Sequence, residues 1–382
     1  MSNAIKSISI EGYKSIRKLE NFELRPLNVL IGANGAGKSN FVSFFGMLKE
    51  IVEQRLQLAV QRAGGADMLL HLGPKFTNEV SAKISYDSGF YEVALEPTND
   101  GRLVFNWEYA EYCAPPESPY PEAMGSRHQE SRFRDYIDPS GRGCHAGQTY
   151  HVYESISSFV IYHFNDTSDL AGMRRQKPIN DDEHLREDAE NLAAFLFKLR
   201  TTAPVVCNQI RDVVRLAAPF FDDFKLRPVT ANPDLIQLEW TQVGSDYPFR
   251  PGQLSDGTLR FICLATALLQ PHPPATMLFD EPELGLHPYA LTLLASLFKQ
   301  AEKSGRQVIV CTQSAALLNE FEPEDVIVVD RQDGQSTFRR LEKDQLSEWL
   351  ENYGLGELWQ KNIFGGRPHN ETGNEPPGGD PQ

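Results

Sequence analysis

The sequence predicts an α/β fold in which helices cover a parallel sheet and an antiparallel subdomain stands toward the N-terminus. Three observations carry this. A glycine-rich loop, Gly32-Ala33-Asn34-Gly35-Ala36-Gly37-Lys38-Ser39, lies between the apolar run Leu27 to Ile31 and a stretch of helical character, Asn40 to Glu50. Three short runs of alternating polarity, Val80 to Tyr86, Phe90 to Leu95 and Leu103 to Tyr109, are separated by turn residues, as in an antiparallel meander. The last third alternates helix and strand, and its strands are apolar on both faces, the mark of a covered parallel sheet.

Taken in order, Ile5 to Ile10 has the period of two of a half-buried strand, and residues 5 to 31 read as strand, turn, strand. The loop that follows fills every fixed position of G-x-x-x-x-G-K-[ST]. Its glycines let backbone N–H groups crowd a phosphate, and the helix N-terminus adds partial positive charge. Gly32, Asn34, Gly35, Ala36, Gly37, Lys38, Ser39 and Asn40 are the candidate nucleotide-binding set. In it Lys38 reaches the β- and γ-phosphates and the Ser39 hydroxyl ligates Mg²⁺.

From Ala114 to Gln148 periodicity is lost, which predicts an extended loop or insertion. Tyr150 to Phe164 reads as strand, and residues 181 to 221 carry helical spacing, as in Leu192, Leu196 and Leu199. A strand pair, Lys225 to Val229 and Leu235 to Thr241, closes this section. Then come helix Thr258 to Gln270, strand Thr276 to Phe279, helix Pro288 to Ser304, strand Gln307 to Cys311, helix Ala315 to Phe321 and strand Asp325 to Val329. Beyond Gly365 the composition predicts a disordered tail.

Composition bounds the function. With 382 residues, 41% hydrophobic and 23% charged, the chain is ordinary globular protein with an ample core, in one large domain or two smaller ones. A net charge of −15 excludes a surface wholly devoted to duplex nucleic acid. Any such contact is a local patch, at Arg127, Arg132, Arg134 and Arg142 or at Arg174, Arg175 and Lys177; a solvated face or a protein-docking site accounts for these groups as well. The five cysteines are scattered and give neither a disulfide framework nor metal-ligand spacing. No apolar run approaches the roughly 20 residues that span a bilayer, and Met1 to Lys6 lacks a secretion pattern. A cytoplasmic protein without membrane contact is expected.

Two further groups carry chemistry. Met277-Leu278-Phe279 ends in Asp280-Glu281. An Asp closing a buried strand holds Mg²⁺ through a water, and the next Glu polarises a water that attacks the γ-phosphate. Alone, two acids at a strand end serve equally as a turn or cap; paired with the glycine-rich loop they read as catalytic. Ser255, Asp256 and Gly257 open a helix, making a second anion-binding N-terminus or a plain helix cap.

Gly32 to Ser39, Leu254 to Arg260 and Leu278 to Glu283 resemble the Walker A, signature and Walker B motifs of ATP-binding-cassette (ABC) ATPases. Within these the chain resembles the RecF/SMC/OLD branch, specifically its small bacterial AAA-type ATPases. Gly12-Tyr13-Lys14-Ser15 is similar to that branch's opening, and Leu286-His287-Pro288 to its Leu-His-Pro ending. The resemblance covers roughly residues 4 to 364 and is weaker from 115 to 250.

The resemblance implies a P-loop NTPase head with an N-terminal antiparallel β-subdomain, a mixed or parallel core sheet and an inserted, mainly helical lobe. Its parts would be 1–113 (Walker A lobe with the meander), 114–250 (insertion and helical lobe) and 251–364 (signature and Walker B lobe), before the tail 365–382. It also implies a homodimeric ATP sandwich: ATP on Lys38 and Ser39 of one chain, capped by Ser255, Asp256 and Gly257 of the other. Ser39 and Asp280 would hold Mg²⁺, Glu281 would act as general base, and His287 would sit near the dimer seam. Lys14 is either a nucleotide contact or a solvated strand-edge lysine.

Two positions depart from the family. Where it carries Thr-His-Ser, this chain has Thr312-Gln313-Ser314. Gln313 can hydrogen-bond a phosphate oxygen or orient water but carries no charge, which implies slower or differently gated hydrolysis; a strand-end cap is the alternative. Asn165 and Asp166 are candidates for a polar residue approaching Mg²⁺, or form a plain Asx turn.

For the task that hydrolysis drives, the resemblance implies a switch controlling a partner effector in a bacterial defence or toxin-like module. The alternative is a RecF-like repair ATPase that clamps DNA across its dimer. A transporter subunit fits poorly, because Lys38 and Leu254 stand too far apart. Neither is a nuclease expected within the chain, since only polar tail follows Phe364.

Overall fold

The computed structural model describes residues 4–87, 89–112, 122–136 and 146–367. Arg142 and most of the expected tail lie outside these. The chain forms two compact units, one of Met1–Arg25, Val29–Ser157 and Glu322–Gln382, the other of Pro26–Asn28 and Ser158–Phe321.

The first unit opens with β1 (Ser7–Tyr13), β2 (Ile16–Glu23) and β3 (Leu27–Ile31), the last beginning in the second unit and ending in the first. Helices α1 (Lys38–Val52) and α2 (Leu56–Arg62) follow, then β4 (Val80–Tyr86), β5 (Gly89–Pro97), β6 (Leu103–Tyr112), β7 (Glu122–Gly125) and helix α3 (Ala146–Ser157). Six strands make one antiparallel sheet in the order β2-β1-β4-β5-β6-β7. Register follows the apolar faces: Ile8 stands opposite Ile84 and Ile10 opposite Ala82, all four buried. Helix α1 buries Phe41, Phe44, Phe45, Leu48 and Ile51, a stripe at helical spacing.

A buried carboxylate braces this sheet. Glu108 on β6 is fully buried and accepts from Tyr91 Oη (2.6 Å), His128 Nε2 (2.9 Å), Ser131 Oγ and the Arg132 backbone N–H (3.0 Å). Tyr91 stacks on Phe133, and Phe105 on His128. Glu108→Ala strands these donors in an apolar interior, so it is expected to cost about 3–5 kcal/mol, read from the urea midpoint.

The second unit contains β8 (Val160–Tyr162), β9 (Lys177–Pro178), α4 (Leu192–Thr202), α5 (Pro204–Ala217), β10 (Phe221–Lys225), β11 (Pro228–Val229), β12 (Asn232–Ile236) and β13 (Glu239–Gln242). Helix α6 (Asp256–Leu269), β14 (Thr276–Asp280), α7 (Pro288–Lys303), β15 (Gln307–Thr312) and α8 (Ala315–Leu318) complete it. Strand β14 runs parallel to β15 on one side and β8 on the other, with Leu278 opposite Ile309 and Ile161. Residues 276–279 and all of β15 are buried, as a two-sidedly covered sheet requires.

The chain then re-enters the first unit as β16 (Val326–Gln332), β17 (Gln335–Arg340), α9 (Lys343–Leu350) and α10 (Leu355–Gln360). Strand β16 pairs parallel with β3 and antiparallel with β17. Asp333 (φ 50°) and Gly334 (φ 76°) make the tight turn between β16 and β17. Among the described residues, no helix is long and apolar enough to cross a membrane.

Two local expectations need correction. Tyr150 to Phe164 is not one strand: α3 runs to Ser157 and only Val160–Tyr162 is extended. Val152 and Ile156, four apart and both buried, set a helical period that the following apolar residues mask. The strand pair 225–229 and 235–241 is also divided. Pro228, with no N–H to donate, interrupts the first run, so β10 pairs with β13 and β11 with β12.

Candidate functional site

The loop after β3 is shaped by close approaches that only glycine tolerates. A Cβ on Gly32 would stand 2.1 Å from the Val329 carbonyl of β16; one on Gly37 (φ 116°) would meet Ser336 Oγ at 2.0 Å. Gly35 has open space where a Cβ would stand, so its φ of 79° rather than a close approach favours glycine there. Gly37 is also the N-cap of α1, and no side chain caps that terminus. The first-turn N–H groups can therefore receive an anion.

Lys38 is 5% exposed, and its Nζ donates to the Gly32 carbonyl (2.6 Å) and the Ala33 carbonyl (3.0 Å). Its charge is thus folded back over the loop. Asn34, Gly35 and Ser39 are exposed, Ala36 is buried, and Asn40 Nδ2 donates to Ser15 Oγ at 2.7 Å. A cavity of about 540 Å³ lined by Glu11, His71, Phe76 and Asp333, among others, shares no residue with this loop.

Lys14 sits in the β1–β2 turn with φ 47°. Its Nζ donates to Ser43 Oγ of α1 at 3.0 Å, and burial holds its pKa below the ordinary lysine value. It is therefore neither loose nor fully solvated, and it stands on the helix that the loop opens. Ser15, Ser43 and Ser336 were not singled out from sequence. The string Gly12-Tyr13-Lys14-Ser15 contained one of them, whereas Ser336 on β17 offered no local signal.

In the second unit, β14 ends at Asp280 and the chain turns sharply. Glu281 has φ 49°, a costly conformation for a long side chain, fixed by its N–H donating to the Cys311 carbonyl at 2.8 Å. Gln313 Nε2 donates to Glu281 Oε1, while the Gln313 backbone N–H donates to Glu283 Oε1 at 2.8 Å. Gln313 thus engages both carboxylates from just beyond the end of β15.

Glu283 was missed as a member of this group. Burial pushes its carboxyl above the ordinary value, opposed by hydrogen bonds from Thr312 and Gln313 and reinforced by the nearby Glu281 charge. Folded Glu283 therefore binds its proton more readily than unfolded Glu283. Stability should fall as pH rises from about 4.5 through the raised value. Glu283→Gln is expected to flatten that decline in denaturation curves taken across the window.

The helix opened by Ser255, Asp256 and Gly257 is held from below. Ser255 Oγ accepts from the Thr258 N–H at 3.2 Å as its N-cap. A Cβ on Gly257 would lie 2.1 Å from the Gly285 carbonyl, so helix and Leu-His-Pro segment meet backbone to backbone. Arg260 is buried beneath them: its guanidinium donates to the carbonyls of Phe164 (2.8 Å), Asn165 (3.1 Å) and Leu284. His287 caps α7, its Nδ1 accepting from the Tyr289 N–H at 3.3 Å.

Several candidates are accounted for differently from the ligand roles considered for them. Arg174 is buried and donates to Asp256 Oδ1 (2.7 Å) and to the carbonyls of Thr167 (2.7 Å) and Pro251. It pins the approach to α6 and cannot face nucleic acid. Lys177 pairs with Glu190, leaving Arg175 exposed. Asp166 Oδ1 accepts from the Ser168 N–H at 3.0 Å, the Asx turn, and hydrogen bonds from the Ser168 side chain and then its backbone hold the carboxyl below the ordinary value. Arg127, Arg132 and Arg134 are exposed.

In the first unit the donors suit a nucleotide with Mg²⁺: loop amides and Lys38 match phosphate oxygens, and the Ser39 hydroxyl is a hard oxygen donor. In the second unit Asp280 is another hard oxygen donor. Among the described residues no cluster of three or more metal-ligating side chains occurs. Mg²⁺ does not need one, since substrate phosphates and water complete its shell.

Comparison with known proteins fits this chemistry. Residues 151–319 match a family model described as "AAA domain, putative AbiEii toxin, Type IV TA system". That stretch contains Ser255 to Gly257, Asp280, Glu281 and Gln313 but not the glycine-rich loop. The fold is similar to an Smc head bound to the C-winged helix domain of ScpA, with 16% identity, 90% of this chain and 99% of that one covered, and a TM-score of 0.58. It is also similar to an Smc head domain with an extended coiled coil from Pyrococcus furiosus, bound to the C-terminal domain of ScpA, at 17% identity, 91% and 98% coverage and a TM-score of 0.54. No curated protein matches. The chain has the fold of an ABC/SMC-type AAA ATPase head, a P-loop architecture with an N-terminal antiparallel sheet.

Proposed function

We propose that the protein binds and hydrolyses ATP and works in the cytoplasm as an ATP-gated dimeric switch on a partner effector protein in a defence or toxin-like module. The observation that carries the nucleotide part is the phosphate loop. Lys38 Nζ donates to the Gly32 and Ala33 carbonyls of the loop itself, and an uncapped helix terminus lies beside it. Mg²⁺, when bound with the nucleotide, would neutralise charge building on the phosphates. Ser39 and Asp280 would hold it, and Glu281 would take the proton of the attacking water while Gln313 fixes the carboxylate's orientation. Ser255 and Asp256, both exposed, and the half-buried Gly257 form a closely backed helix start, suited to covering the γ-phosphate of a second copy.

The switch is supported by the acidic balance of the chain and by the toxin–antitoxin wording of the matched family model. The Smc heads of similar fold are themselves seen bound to a partner protein. For the DNA-clamp alternative, Arg174 is buried and Lys177 is paired, which leaves the exposed Arg127, Arg132 and Arg134 as its basic patch. The test is duplex DNA retention by ATP-loaded protein across a salt series. Absence of retention is expected, along with slow ATP turnover and no DNA cleavage. Retention that weakens steeply with salt would favour the clamp instead.

A further inference from the structure

We propose that Ser336 and Ser15 are positioning residues of the phosphate loop, acting as a hydroxyl relay that orients the Ala36–Gly37 peptide toward a bound phosphate. This rests on the nucleotide reading above and deepens it.

The relay is built from four polar groups. Ser336 Oγ lies 2.6 Å from the Ala36 carbonyl oxygen and 2.7 Å from Ser15 Oγ. Asn40 Nδ2 lies 2.7 Å from Ser15 Oγ. The Ser336 hydroxyl is the donor in both of its contacts, so its one proton is shared between the Ala36 carbonyl and Ser15 Oγ, and Ser15 Oγ also accepts from Asn40 Nδ2. Together these groups tie the first turn of α1 to the loop that precedes it.

The consequence follows from peptide geometry. In a planar trans peptide the C=O and the next N–H point in opposite directions. Anchoring the Ala36 carbonyl on Ser336 therefore turns the Gly37 N–H to the side away from β17. Gly37 is glycine for the same reason: its Cβ would stand 2.0 Å from Ser336 Oγ and 2.8 Å from Ser15 Oγ. Ser336 is 3% exposed, and its backbone N–H donates to the Ser15 carbonyl at 2.7 Å, so the relay is itself held in place. Without the hydroxyl, the buried Ala36 carbonyl loses this partner, and the peptide is free to rotate its N–H out of the cradle.

The experiment uses the full chain with Mg²⁺ and a fluorescent ATP analogue. Ser336→Ala and Ser15→Ala are each expected to raise the Kd about tenfold, with the kinetic loss falling on KM rather than kcat. The double variant should bind no worse than either single one, because both break one relay. Wild-type affinity in Ser336→Ala, or single effects that multiply in the double variant, would overturn the inference. Should Ser336→Ala fail to fold, Ser15→Ala reads the same relay from its other end, and wild-type affinity there is equally fatal. If wild type and Lys38→Ala bind the analogue alike, the nucleotide reading itself falls and takes the relay with it. Loss in Lys38→Ala with no loss in the serine variants removes the relay alone.

Discussion

Lys38→Ala is expected to weaken ATP binding by at least about 100-fold and to abolish measurable turnover. Without nucleotide, the ammonium is held by the Gly32 and Ala33 carbonyls at 2.6 and 3.0 Å. On binding, it exchanges neutral oxygens for charged ones, and a charge-assisted bond of this kind is worth about 1.5–3 kcal/mol. Truncation does more than delete that bond, because it leaves two carbonyl dipoles facing a polyphosphate. Lys38→Arg should fail as well, since the planar guanidinium does not fit a site 5% exposed and shaped for a compact charge. Titration of a fluorescent ATP analogue measures both variants. Unchanged affinity in Lys38→Ala would remove the basis of the proposed function.

Glu281→Gln should separate binding from chemistry. ATP affinity is expected to stay near wild type while phosphate release falls by about 10²–10⁴-fold, the usual worth of a positioned general base. Glutamine keeps the length and the left-handed backbone, and it still accepts a hydrogen bond from Gln313 Nε2. It cannot take a proton from water. Held before hydrolysis, the variant should elute as a dimer on a sizing column in ATP and Mg²⁺ and as a monomer without them. Wild-type phosphate release would show that another group activates the water, and a monomer under all conditions would remove the sandwich.

What was legible in the sequence was local. The phosphate loop declares itself because its backbone demands glycine at fixed steps, and β14 and β15 do so because a strand buried on both faces is apolar throughout. The antiparallel meander was legible from strict alternation, as in β4. What escaped depends on distant partners. Arg174 looks like surface charge until the carbonyls of Thr167, Pro251 and Leu254 converge on it. Glu283 looks like an ordinary turn acid until the Gln313 N–H reaches it from 30 positions away. Helix α3 was lost because its apolar residues run directly into those of the short strand after it. Glu281's positive φ has no sequence signature, since glutamate is not a residue that prefers it.

The Ser336–Ala36 hydrogen bond spans 300 positions, and this sets an order of events during synthesis. The glycine-rich segment leaves the ribosome 300 residues before Ser336 of β17 does. A contact closing so long a loop must await the pieces between, whose entropy is lost before the bond repays it. A nascent or prematurely terminated chain would carry an intact motif and an unsteadied cradle. Competence for ATP then waits on the synthesis of β17, and a copy cut short before it would stay silent at ATP concentrations that engage a chain containing it.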